Sequence, residues 1–167
     1  DAVKEALQAD LRIAREIQMG MIPHDFGRLE SRFGVELSGV LEPAREVGGD
    51  LYSAFVGNAG RLVLLMGDVS GKGIPASLFM VRASSLARLL ARVHTEPARI
   101  LQRLNDELST ENPSGMFVTV ICARYDPATR IVTIANAGHC RPVLLRAGQA
   151  AAFRRLSEHD RSNPQVH

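Results

Sequence analysis

Cysteine is scarce in this chain. The 167 residues hold two, Cys122 and Cys140, each in an apolar or turn context. That is too few for a disulfide framework and points to reduced thiols in a cytoplasmic protein. Charge of one sign is lacking as well. Twenty basic residues stand against 18 acidic ones, so the net charge is +2, and the pI near 8.8 comes without a dense basic run. No field suited to nucleic acid or a membrane surface follows from this. No apolar run approaches the roughly 18 residues of a membrane span. Internal repeats and low-complexity segments are missing too. The opening DAVKEALQADLRIAREIQ is helical and charged, unlike a signal peptide, and it starts without methionine, as expected for a piece of a longer protein. What remains is ordinary soluble composition, 46 % hydrophobic and 23 % charged, in a length that suits one domain with a sizeable core.

Periodicity divides the chain. Val3, Leu7, Leu11, Ala14, Ile17 and Met21 recur at steps of three or four, which predicts an amphipathic helix ended by Pro23. Lying on its own domain is the simpler expectation for this helix; pairing with a second subunit or an upstream sensor is the alternative. Alternation predicts strands over 35–43 and 51–56, with GNAG as a turn and RLVLLMGD as a buried strand. A long helix from Ile74 to about Val93 follows, with Pro75 in its first turn, and a second opens at Pro97. FVTVICARYD and IVTIANAG pair around the turn DPATR, and RPVLLRAGQ gives a further strand and turn. Hairpins interrupted by two consecutive helices predict an α+β fold with antiparallel sheets. The domain expectation is a linker or switch helix over 1–22, a domain over 23–156 and a disordered or non-native tail over 157–167.

The stretch LLMGDVSGKGIP, residues 64–75, carries the chemistry. As a phosphate cradle it fails: a Walker loop needs four residues between its first glycine and the Gly-Lys pair, then a hydroxyl residue. Here three residues separate Gly67 from Gly71, and Gly73 follows Lys72. Asp68 offers another reading, a carboxylate at the C-terminal end of a buried strand and a hard ligand of the kind magnesium and manganese prefer. Upstream, Asp50 follows Gly48 and Gly49 at a strand start. Two bare carboxylates about 4 Å apart would repel by about 4 kcal/mol at an effective dielectric near 20. A divalent cation is the natural partner if the fold joins them, although either aspartate alone would be an ordinary turn residue.

Taken in order, EIQMGMIP, EVGGDLYSAF, MGDVSGKGIPASLFM, GMFVTVICARYD and IANAGHCRP resemble the SpoIIE-like (RsbU-like) bacterial branch of the metal-dependent serine/threonine protein phosphatases, the PPM superfamily. The resemblance runs from about Glu16 to Arg146. It implies an α-β-β-α sandwich, two stacked antiparallel sheets flanked by helices, with a binuclear Mn2+ or Mg2+ site. It also implies hydrolysis of phosphoserine or phosphothreonine on a protein, with Asp50 and Asp68 as the catalytic, metal-ligating aspartates. Val69 takes the position whose backbone carbonyl reaches the metal, and Gly71, Lys72 and Gly73 shape the loop where phosphate approaches. His139 belongs to a family motif, and a structural role is expected for it. The implied substrate is a phosphorylated anti-sigma-factor antagonist, with no nucleic acid involved.

Two departures qualify the resemblance. Ser53 stands where the family usually has an aspartate. The Gly-Asp turn, Thr-Asp-Gly segment and final aspartate that supply second-metal ligands do not appear after RPVLLRAGQ, and Asp160 lacks their context. The sandwich is therefore expected to be incomplete, with weak single-metal binding and low turnover. A catalytically inactive phosphatase-like binding or regulatory module is the alternative to an enzyme.

Overall fold

The computed structural model describes residues 2–43 and 46–145 and the backbone of Arg154 and Arg155. Four helices come in chain order as α1 (Ala2–Met21), α2 (Gly27–Phe33), α3 (Gly73–Val93) and α4 (Pro97–Ser109). Strands β1 (Leu51–Val56), β2 (Leu62–Val69), β3 (Val118–Asp126) and β4 (Ile131–Ala137) form one antiparallel sheet in the order β1-β2-β3-β4. A two-stranded pair joins β5 (Val143–Leu144) to β6 (Arg154–Arg155). This is an α+β fold with antiparallel sheets.

Strand alternation sorts the sheet's two faces. Leu51, Phe55, Val63, Leu65, Val69, Val120 and Cys122 turn to α3 and α4 and form the core with Phe79, Met80, Ile100 and Leu104. Ala76, Ala83, Ala87 and Ala91 line the buried side of α3, and their small size lets the helix sit close to the sheet. Gly57 shows how close: a Cβ there would lie 2.6 Å from Val63 and 3.0 Å from the Ala91 carbonyl. The ends away from the glycine loop are tied by Arg61 to Asp126 at 2.9 Å, and by Arg124 to Glu96.

Two expectations are corrected. Residues 35–43 alternate in polarity but form no strand, because no neighbouring strand pairs with them. Their polar groups find side chains instead: Leu37 N–H donates to Glu30 Oε1, and the Gly39 carbonyl accepts from Tyr52 Oη. Helix α2 lies where the sequence suggested only a loop. It is a single short stretch closed by Gly34 at φ 64°, with Asp25 Oδ1 accepting from the Gly27 N–H at its start. Helix α3, expected over about the same residues, is by length and composition apolar enough to cross a membrane, a test that a buried core helix also passes.

Helix α1 buries only Gln18; of its apolar stripe Val3, Leu7 and Ile17 are exposed while Leu11, Ala14 and Met21 are half-buried, so half of the stripe does not lie on the domain. Both cysteines are free thiols, as the composition suggested, with Cys122 buried and Cys140 exposed. The strand and turn expected beyond Leu145, Asp160 and the 157–167 tail lie outside the described residues.

Candidate functional site

Asp50 is the last residue before β1, and Asp68 is the penultimate residue of β2. In the β1–β2 register Leu51 faces Gly67, so one step further Asp50 faces Asp68. Val69 N–H donates to the Gly49 carbonyl at 3.2 Å. This makes 49 and 69 a hydrogen-bonded pair and leaves 50 and 68 as the adjoining non-bonded pair, in which facing side chains come closest. The sheet thus sets the two carboxylates side by side on the face away from α3.

Their proximity is visible in the acidity of Asp50. Loss of hydration raises the Asp50 carboxyl above its ordinary value; repulsion from Asp68 and a hydrogen bond shared with it raise it further, and His139 opposes them. Such a pair is short of positive charge. Its donors, with the nearby Val69 carbonyl, are all hard oxygens, which fits Mn2+ or Mg2+. Among the described residues no group of three or more histidine, cysteine, aspartate or glutamate side chains is set to hold a metal.

Glycine is needed at 49 for this approach. A Cβ there would stand 3.0 Å from both the Cβ and the carbonyl oxygen of Val69. Gly48 is held from the other side: the buried Gln18 of α1 donates through Nε2 to its carbonyl and accepts its N–H through Oε1 at 3.0 Å. Arg15 adds a bond to the Glu46 carbonyl at 3.4 Å. Gln18 lies on the same face as Leu11, Ala14 and Met21, a polar residue within the apolar stripe, and that was the signal the sequence offered for this clasp.

After Val69 the chain leaves the sheet. Ser70 still pairs with Phe117, donating its N–H to the Phe117 carbonyl at 2.8 Å and accepting the Phe117 N–H on Oγ at 3.0 Å. Gly71 at φ 89° and Gly73 at φ 70° occupy the left-handed region, where a side chain would be strained. Lys72 between them is exposed.

Further along the same row, Asp68 faces Thr119 on β3, and the β3–β4 register carried one step on places Gly138 beside Thr119. Thr119 Oγ1 donates to the Asp68 carbonyl at 3.3 Å and lies 3.0 Å from His139 Nδ1. The Asn136 side chain holds the His139 backbone at both ends, accepting its N–H at 2.8 Å and donating to its carbonyl at 2.9 Å. Ser53 is elsewhere. An odd number of residues from Asp50, it points to α3, where it is 3 % exposed and accepts from Arg88 Nη2 at 3.0 Å. Arg88 lies over the Phe55 ring at 4.8 Å, and burial, then Arg92, lower its pKa. A serine here changes the anchoring of α3 and leaves the aspartate pair untouched.

Residues 58–159 match the family Stage II sporulation protein E (SpoIIE). Phosphoserine phosphatase RsbU of Bacillus subtilis is 26 % identical over 137 residues, which cover 82 % of this chain and 40 % of that protein. Protein IcfG of Synechocystis is 27 % identical over 163 residues, covering 81 % of this chain and 25 % of its own length. The chain therefore spans well under half of either relative. The solved SiaA-PP2C domain of Pseudomonas aeruginosa superposes with a TM-score of 0.63 at 20 % identity, covering 80 % of this chain and 55 % of that one. The RsbU and RsbW domains of Rv1364c from Mycobacterium tuberculosis give 0.53 at 24 % identity, covering 61 % and 28 %. At such identities the structures speak for the fold.

Proposed function

The chain belongs to the SpoIIE family, and from that premise we propose that it is a metal-dependent phosphatase domain hydrolysing phosphoserine or phosphothreonine on a protein. The observation that carries this reading is the face-to-face placement of Asp50 and Asp68 on adjoining strands. Asp50, Asp68 and the Val69 carbonyl would hold Mn2+ or Mg2+. A cation held there would supply a lowered pKa for water and an offset to the charge of the phosphoryl oxygens. The two carboxylates hold and orient that centre, and Gly71, Lys72 and Gly73 leave room beside it for the phosphate.

The substrate in this proposal is a phosphorylated anti-sigma-factor antagonist in a cytoplasmic partner-switching system; the name of one relative, phosphoserine phosphatase RsbU, supports the phosphoserine part of that reading. The exposed half of the apolar stripe of α1 is the surface proposed to meet an upstream sensor or a second copy of the chain. A second reading, a phosphoprotein-binding module with little turnover, draws on the lack of a third acidic or histidine ligand among the described residues.

The test is phosphate release from an aryl phosphate and a phosphoserine peptide with manganese, comparing the chain with Asp68→Asn. Turnover lost on substitution supports the enzyme. Manganese bound through Asp68 without turnover supports the binding module, and no manganese binding at all defeats both.

A further inference from the structure

His139 is tied to the protein through one ring nitrogen. Nδ1 lies 3.0 Å from Thr119 Oγ1, and among the described residues no hydrogen bond is formed by Nε2. A threonine hydroxyl carries a single proton, and the Asp68 carbonyl at 3.3 Å is an acceptor for it. With that proton on the Asp68 carbonyl, the hydroxyl would meet Nδ1 as an acceptor, and the ring proton would sit on Nδ1. In a neutral imidazole this leaves Nε2 with its lone pair.

The surroundings restrict where that lone pair can act. Asn136 clamps the His139 backbone through both its N–H and its carbonyl, and Gly138 at φ 73° makes the turn. Thr119 stands directly across from Asp68 in the register, on the row that begins with Asp50. The imidazole is close enough to this row for its charge to bear on Asp50. The engaged nitrogen is fixed by a residue that also touches the backbone of a candidate ligand.

We propose that Thr119 is a positioning residue: its hydroxyl holds His139 as the Nδ1–H tautomer and leaves Nε2 to accept a hydrogen bond from a water or hydroxyl group at the Asp50–Asp68 pair. The role in turnover rests on the phosphatase reading above; the tautomer does not. Accepting one proton in a hydrogen bond orients such a water, turning its own lone pair toward whatever phosphoryl group shares the site.

Long-range proton–nitrogen correlation spectra of the chain with magnesium, at mildly alkaline pH where imidazoles are neutral, read the tautomer directly. The sequence has five histidines, so His139→Gln identifies the signal. The expected result is protonated Nδ1 in the parent chain and in Thr119→Ser, moving toward the Nε2–H form in Thr119→Val. A parent chain with Nε2–H, or a pattern that ignores Thr119→Val, would overturn the proposal. The parent and serine spectra suffice if the valine variant fails to fold. In manganese-dependent hydrolysis of a phosphoserine peptide, Thr119→Val and His139→Gln should each lower kcat about tenfold with KM little changed. The double variant should be no worse than His139→Gln alone. Additive losses, or losses confined to KM, would sink the positioning role. A parent chain without activity would count against the phosphatase reading, while the nitrogen spectrum would still decide the tautomer.

Discussion

Gln18, in the last turn of α1, is joined to Gly48 by two hydrogen bonds, one to its carbonyl and one from its N–H. A side-chain amide here takes the place that a neighbouring strand would take, two residues before Asp50. The helix that carries Gln18 is otherwise mostly open to solvent. Whatever moves α1 therefore acts on the backbone that presents the first aspartate. Gln18→Ala should lower manganese affinity by about tenfold, the scale of one or two lost hydrogen bonds to a buried partner. Isothermal titration checks this, and unchanged affinity would show that the loop holds itself.

The glycine at 49 gives a steric prediction. Gly49→Ala places a methyl group 3.0 Å from the Val69 carbonyl and Cβ, so β1 and β2 must part locally. A cost of about 1–3 kcal/mol is expected from such overpacking. Manganese binding should suffer more than stability, because the displaced residues are the ones that hold Asp50 against Asp68. Chemical denaturation and metal titration on one sample compare the two losses.

The carboxylate pair makes stability depend on pH. Asp50 titrates above its ordinary 3.8 in the folded chain. Below that ordinary value both folded and unfolded chains are protonated and the pair costs nothing. As pH rises through the raised value, the folded chain takes on the repulsion and its stability falls relative to the unfolded chain. In EDTA at neutral pH, Asp50→Asn should therefore melt slightly higher than the parent. The gain should be less than about 1 kcal/mol, because both groups are open to solvent. Added manganese should stabilise the parent and not the variant; a parent already more stable than Asp50→Asn in EDTA would contradict this.

Ser53 supplies the opposite case. Ser53→Ala removes the bond from Arg88 on the helix side of β1. Stability should drop by about 1 kcal/mol, while the manganese isotherm stays as it was. A change in metal affinity would mean that the two faces of β1 are coupled more tightly than the pleat suggests.

The thiols should differ in reactivity. Burial pushes the Cys122 thiol up to about 12, so almost no thiolate exists at neutral pH. Cys140 is exposed. Brief alkylation of the native chain, read by mass spectrometry, should modify Cys140 and spare Cys122 until the protein is unfolded.

Much of this was legible before any coordinates. The strands at 51–56 and 131–137 and the helix opened by Pro97 follow from alternation and a proline that suits a first turn. Asp50 and Asp68 stood out through their glycines, and the register then joined them. The segment 35–43 misled because alternation is a local signal while pairing needs a neighbour. Helix α2 was missed because seven residues are too few to show a helical period. Thr119 gave no signal, since an ordinary threonine in a strand gains meaning only from what lies across from it.

The row that runs from Asp50 through Asp68 and Thr119 to Gly138 takes one residue from each of four chain segments. None of those segments can supply its member unless it is aligned to the residue with its neighbour. A slip of one position between β2 and β3 would put a valine opposite Asp68 and turn Thr119 toward the helices. Such a sheet could still bury its apolar side chains in part, yet it would have lost the histidine's anchor. Metal affinity and the His139 tautomer together thus work as a proofreading signal for the sheet, telling a correctly threaded molecule from a merely collapsed one.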